Sequence, residues 1–278
     1  MDKRTFILRR SLAMLLMVAL SSVFFLLLYH FDNKYTKDDP QAINGALYIS
    51  ETDWTDMPIR YLRDGWRYYA DRLLTPEALR QQGNDYQYLS IGEDVNFAMG
   101  DDCRSPHGSA SYALTLYLPE TEHTYAIELP EIYSAYWFYV NDKPKLQMGE
   151  PDSQSYRDQT QCRIITFEAS GKTTLLLAVS DRSWVYSGLV YPPAFGEPLH
   201  VNTSRGLRIG ICLIVVTATL MMAAFSLYLA LRTRRRNNIW LFALLCLTAS
   251  VFLSYSIVHG ILALPVSHGI RWNWSADI

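Results

Sequence analysis

The sequence predicts a mainly β extracytoplasmic domain, an antiparallel sandwich or jelly roll, joined to transmembrane α-helices. Three features carry that expectation. Long apolar segments stand near both ends of the 278-residue chain, arginines and lysines cluster beside them, and the polar middle alternates in short runs divided by turn residues.

Residues 1–10 contain Lys3, Arg4, Arg9 and Arg10 and read as a cytoplasmic N-terminus, because basic residues near membrane ends favour the inner side. Residues 11–29 (SLAMLLMVALSSVFFLLLY) carry no charge. About 20 apolar residues cross the hydrocarbon core, so this segment is long enough to be a transmembrane helix or signal anchor. A cleaved signal peptide is the alternative, but the run exceeds the usual apolar region and no small-x-small site follows Leu28. Either reading exports what comes next.

Residues 31–206 form the expected β domain. Leu62, Trp66 and Tyr69 suggest a strand. Thr75-Pro-Glu-Ala-Leu-Arg80 suggests a short helical turn with Thr75 as N-cap and Pro76 at the first helical position. Ser111 to Leu118 alternates, with Tyr112, Leu114, Leu116 and Leu118 on one face. Thr124 to Leu129, Ser134 to Val140, Cys162 to Phe167 and Thr173 to Val179 supply further strands, and Asn141-Asp142 is a turn signal. Residues 207–231 and 239–264 are again long enough to span, with only Arg208 charged, at the outer edge of the first. Between them, residues 232–238 hold Arg232, Arg234, Arg235 and Arg236 and read as a cytoplasmic loop. With Arg9 and Arg10 these arginines set the expected topology, and residues 265–278 return to the outside.

The net charge of −2 hides a division. Residues 31–206 hold 15 basic and 25 acidic residues, a balance of −10, and the remainder holds 10 basic and 2 acidic, a balance of +8. The basic part suits anionic lipid as a partner. The acidic part argues against nucleic acid. Of four cysteines, Cys212 and Cys246 fall in apolar helices, while Cys103 and Cys162 are exported and could form a disulfide, which sequence alone cannot decide.

The runs SASYALTLYLP (109–119), AIELPEIYSAYWFYVNDKPKLQMGEP (126–151) and TLLLAVSDRSWVYSGLVYPPAFGEP (174–198) resemble an extracellular sensing module. It is that of the bacterial seven-transmembrane receptors with diverse intracellular signalling modules. The segment IYSAYWFYVNDK is similar to the aromatic strand and Val-Asn-Gly-Lys turn of carbohydrate-binding jelly rolls, with Asp142 in place of the glycine. The resemblance implies a galactose-binding-like jelly roll outside a bacterial inner membrane and a small carbohydrate-like ligand. It also implies a multi-pass receptor for signal transduction, a homodimer if the parent is a histidine kinase, and a histidine kinase or diguanylate cyclase output. The family has seven helices after the domain and this chain has two, so it reads as a truncated receptor or a fragment of one. No kinase or cyclase motif is present, and the chain itself is expected to be no enzyme and to need no cofactor.

Asp181, Arg182, Trp184, Tyr186 and Tyr191 combine rings that stack on sugar faces with charges that bind hydroxyls. Their bland role is packing near the membrane, where Trp and Tyr are favoured. Within Ser134 to Val140, Tyr136, Phe138 and Val140 share one face and Trp137 and Tyr139 the other. One face must be core, and the second binds ligand or covers a neighbour. Asp94, Asn96, Asp101 and Asp102 have oxygen chemistry but no EF-hand spacing, so they read as a solvated loop rather than a metal site. His107, His123 and His200 are expected in surface loops. Arg205 and Arg208 either meet lipid phosphate or link the domain to the helix. Two other roles stay open: a docking module for another envelope protein, and an exported glycosidase. The glycosidase would need two carboxylic acids about 5 to 9.5 Å apart.

Overall fold

The computed structural model describes residues 3–35, 40–83, 85–92, 107–152, 154–183, 188–232 and 237–261. It divides into two units, residues 1–38 and 39–278. The first contains α1 (Lys3–Asp32), a single helix whose apolar side chains are exposed from Leu12 to Leu27.

The second unit runs β1 (Ala46–Tyr48), α2 (Glu51–Asp56), β2 (Ile59–Tyr61), β3 (Trp66–Ala70), α3 (Pro76–Gln81), β4 (Gln87–Leu89) and β5 (Gly108–Tyr117). It continues β6 (His123–Leu129), β7 (Ala135–Val140), β8 (Lys143–Met148), β9 (Arg163–Ala169), β10 (Lys172–Asp181), β11 (Ala194–Gly196), α4 (Pro198–Arg232) and α5 (Asn237–Ile261). The strands make two sheets, so the expected β sandwich is present. One has the order β4-β3-β5-β10-β7-β8, with β1 parallel to β5; the other is β2-β11-β6-β9. We call them the large and small sheets.

Alternation explains how the sheets meet. Tyr112, Leu114 and Leu116 of β5, Leu175, Leu177 and Val179 of β10, and Tyr136, Phe138 and Val140 of β7 face Tyr125, Ile127, Phe167 and Phe195 of the small sheet. Period-two side chains on facing sheets interdigitate into one core. The predicted strands appear within a few residues of their expected ends. The outer face of the large sheet is covered in part by the β3–β4 connection, where Leu74, Ala78 and Leu79 pack on Ala113, Leu176, Tyr69 and Tyr139. This is why β5 is buried on both faces. Thr75 accepts from the Ala78 N–H at 3.3 Å, and Pro76 opens α3, as the sequence implied.

Three turns show local causes. Asn141 has φ 54°, a left-handed conformation that asparagine tolerates, and its Oδ1 accepts from Thr174 N at 2.8 Å. Gly149 has φ 64°, and a Cβ there would stand 2.0 Å from the Arg157 carbonyl oxygen, so only glycine fits. Asp53 accepts from both Ser50 N and Ser50 Oγ at 2.7 Å, and these bonds hold its carboxyl below the usual range.

The sequence placed the helix after the β domain at Leu207, but α4 begins nine residues earlier at Pro198. The early turns form because Pro198 presets the helical φ and Val201, fully buried, packs on the small sheet. Two described helices are long and apolar enough to cross a membrane, Ser11–His30 and Pro198–Arg232. In α5 the apolar stretch Ile239–Ser254 is shorter. It packs on α4 through small residues: Ala223, Ser226 and Ala230 on one helix, Ala243, Cys246 and Ser250 on the other. Ser250 Oγ reaches Thr219 Oγ1 at 2.8 Å across the pair. Small residues let helix backbones approach closely.

Candidate functional site

Short connections fix which strand ends lie together. β5 leads into β6 through residues 118–122, β6 into β7 through 130–134, and β9 into β10 through 170–171. Gly108, Leu129, Ala135, Arg163 and Asp181 therefore mark one end of the sandwich, and Tyr117, His123, Val140, Ala169 and Lys172 the other. The start of α4 lies beside the His123 end of β6, sharing a cleft with it. Ten residues on, Arg208 meets Glu128 near the other end. The first three turns of α4 thus lie lengthwise along β6, and the helix leaves the sandwich at the Asp181 end.

That exit end is polar. Asp181 is fully buried, and its carboxylate contacts His107 Nδ1 at 3.0 Å, accepts from Tyr156 OH at 3.4 Å and from Ser183 N at 3.5 Å. Burial, then the Asp181 charge, pushes the Tyr156 hydroxyl up to about 12. On the outer face of the small sheet, buried Glu128 pairs with Arg208 and accepts from Cys162 Sγ at 3.3 Å. Burial, then the Glu128 charge, pushes the Cys162 thiol up to about 12. Ser134 Oγ, Tyr136 OH and Gln161 Oε1 are buried and find no hydrogen-bond partner among the described residues. An unmet buried polar group costs about 1–3 kcal/mol, and Thr173 Oγ1 toward the other end is in the same position.

At the opposite end two clefts open. One, of about 650 Å³, lies between Glu51, Thr121, His123, Tyr125, Glu197 and Leu199. The other, of about 460 Å³, lies beside the β7–β8 turn, with Lys143, Lys145 and Glu168 on its rim.

The structure spreads the sequence-named residues over several places. Asp181 points between the sheets at the exit end, Arg182 beside it is exposed, and Tyr191 is 42% exposed. Trp137 and Tyr139 are half-buried on the outer face of the large sheet, with Tyr139 in the cluster covered by α3. Trp184, Tyr186, Cys103, Asp94, Asn96, Asp101, Asp102, Arg234, Arg235 and Arg236 lie outside the described residues. Cys162 is a free thiol that donates to Glu128, and the Cys103 expected as its partner lies outside the described residues. Arg9 and Arg10 lie in α1, and Arg232 ends α4. His107 lies exposed just before β5, as expected of a loop residue, and its ring also meets buried Asp181. Of the two roles open to Arg208, the link to the domain is the one formed. Sequence reasoning missed Glu128, Tyr156, Glu51 and Glu197. No local motif marks them, and the partners of the first three are 25 to 80 residues away. Among the described residues no group of three His, Cys, Asp or Glu side chains could hold a metal ion.

No family model matches the chain, and no curated protein matches it. Several solved structures are similar. A family 2 β-galacturonidase from Eisenbergiella tayi shares 12% identity at TM-score 0.34, over 50% of this chain and 24% of that one. A putative β-galactosidase from Bacteroides fragilis shares 15% at TM-score 0.37, over 49% and 22%. A family 2 glycosyl hydrolase from Bacteroides cellulosilyticus shares 11% at TM-score 0.40, over 50% and 20%. The chain spans about a quarter or less of the length of these three. Likeness at this level concerns the fold alone. These neighbours are glycoside hydrolases, and the expectation that the chain is no enzyme is withdrawn.

Proposed function

We propose that the chain is the sensory part of a multi-pass membrane receptor, of the seven-helix bacterial kind that the sequence resembles. Its extracytoplasmic jelly roll takes a small, carbohydrate-like ligand, and α4 carries the consequence into the membrane. The observation behind this reading is the continuity of α4. Pro198 to Arg208 lies on the small sheet and is pinned by Arg208 to Glu128, and the same helix then runs uncharged from Ile209 to Leu231. At 1.5 Å per residue that uncharged stretch spans about 35 Å, enough to cross the hydrocarbon core.

A helix rigid across such a boundary transmits any shift of its base. A ligand that binds one seating of α4 on the small sheet more tightly than another moves the equilibrium by that difference in affinity.

The test uses the full chain in lipid nanodiscs, screened by thermal shift against monosaccharides and amino acids. With a stabilising ligand bound, hydrogen exchange is expected to change along Pro198–Arg208 as well as at the site. A change confined to the sandwich would contradict the reading.

A further inference from the structure

The larger distal cleft is built from two parts that belong to different levers. One wall belongs to the sandwich and its α2 flank: Glu51 of α2, Thr121 in the β5–β6 turn, and His123 at the start of β6. The other wall is the root of α4, with Glu197 immediately before the helix and Leu199 in its first turn. The Glu197 carbonyl accepts from Val201 N at 3.1 Å, so Glu197 is fixed to the helix start. A molecule that touches both walls ties α4 to the sheet at the end opposite the Arg208–Glu128 pair.

The polar groups restrict what that molecule can be. Thr121 Oγ1 donates to Glu51 Oε1 at 3.2 Å and lies 2.9 Å from His123 Nε2. A hydroxyl has one proton. Given to Glu51, it leaves His123 Nε2–H as the donor to Thr121, and the relay ends on the Glu51 carboxylate. Glu197 Oε2 lies 3.2 Å from His200 Nδ1. None of the described residues lining the cleft is a lysine or arginine, so its two carboxylates face the cavity beside an imidazole, His123, but no strongly basic side chain. A volume of about 650 Å³ fits a small molecule. The donor set among the described residues does not suit a metal ion. Carboxylates favour an ammonium group, while Thr121, Thr124 and the imidazole favour hydroxyls. Pro119, Pro198 and Leu199 supply apolar edges.

We propose that this cleft binds a small ammonium-bearing polyol, the chemistry of an amino sugar, and that Glu51 and Glu197 hold its cation from opposite walls. The proposal rests on the receptor reading for its consequence, since the bound cation would draw the root of α4 toward β6.

The test is isothermal titration calorimetry on the full chain in nanodiscs, at slightly acidic pH, with glucosamine, glucose and galacturonate as probes. Glucosamine is expected to bind at least about tenfold more tightly than glucose, the difference a charge-assisted contact makes, and galacturonate not at all. Raising salt to about 1 M, where the Debye length is about 3 Å, should weaken glucosamine and leave glucose unchanged. The double variant Glu51→Gln, Glu197→Gln is expected to lose the preference. Leu199 is 72% exposed, so L199R should fold and should block the cleft by offering its own cation to the carboxylates. Equal binding of glucosamine and glucose, tighter galacturonate, no glucosamine binding, or full glucosamine affinity in L199R would each overturn the proposal. If glucosamine binds as expected but exchange along Pro198–Arg208 stays unchanged, the site stands and the receptor reading falls.

Discussion

Cys162 shows how one side chain carries the chemistry of its surroundings. Its thiol is held protonated by burial first and by the Glu128 carboxylate second, at about 12 against an ordinary 9.0. The folded state therefore keeps a proton that the unfolded chain gives up near pH 9. The stability this contributes is intact below about pH 9 and is lost as pH rises toward 12. Urea unfolding of wild type should weaken more steeply across that window than unfolding of Cys162→Ala, and parallel curves would refute the assignment. The neighbouring Arg208 is a stronger lever. Arg208→Ala strands the carboxylate of Glu128, whose side chain is only 8% exposed. Stranding a buried partner costs about 3–5 kcal/mol; a fifth of Arg208 is exposed, so about 2 kcal/mol is expected after screening. Adding Glu128→Gln should recover part of it. The sequence offered a domain link as one role for Arg208 but could not name Glu128 as its partner, because the two are 80 positions apart and only the packing of α4 on β6 joins them. The partner of the exposed loop residue His107 was hidden for the same reason: Asp181, 74 residues on, reaches it only through the β5–β10 register.

Among the elements, those that obey local rules were legible. Five strands, β5, β6, β7, β9 and β10, have alternating side chains over six to ten residues, and α3 has a Thr-Pro start. Thr75→Ala removes the bond to Ala78 N and should cost about 1 kcal/mol, read from the urea midpoint. A cost near zero would mean that packing of Leu79 and Ala78 alone holds the turn. The missed elements have physical reasons. β8 (KPKLQM) carries polar side chains because its register with β7 makes it an edge, open to water. β1, β2, β4 and β11 have three residues each, too few for a period to show. The early start of α4 was masked because Pro198 to Arg208 is polar on the side away from the sheet, and mean apolarity finds only the span beyond it.

At the scale of the whole molecule, the β-sandwich and the apolar segments were legible, since alternation and length are local properties. The division into an exit end and a cleft end was not. It depends on β10 pairing between β5 and β7, strands far away in sequence. That division now gives the chain a direction: clefts at the far end, the root of α4 between, and the Arg208–Glu128 pin where the helix departs. The direction has meaning only if the sandwich is outside the membrane and the arginine-rich turn inside. The most direct check is labelling by a membrane-impermeant thiol reagent, in a background lacking the four native cysteines. The proposed topology predicts that Lys145→Cys, on exposed β8, is labelled in intact cells, and that Arg232→Cys is labelled only after permeabilisation. Labelling of Arg232→Cys in intact cells, with Lys145→Cys protected, would contradict it.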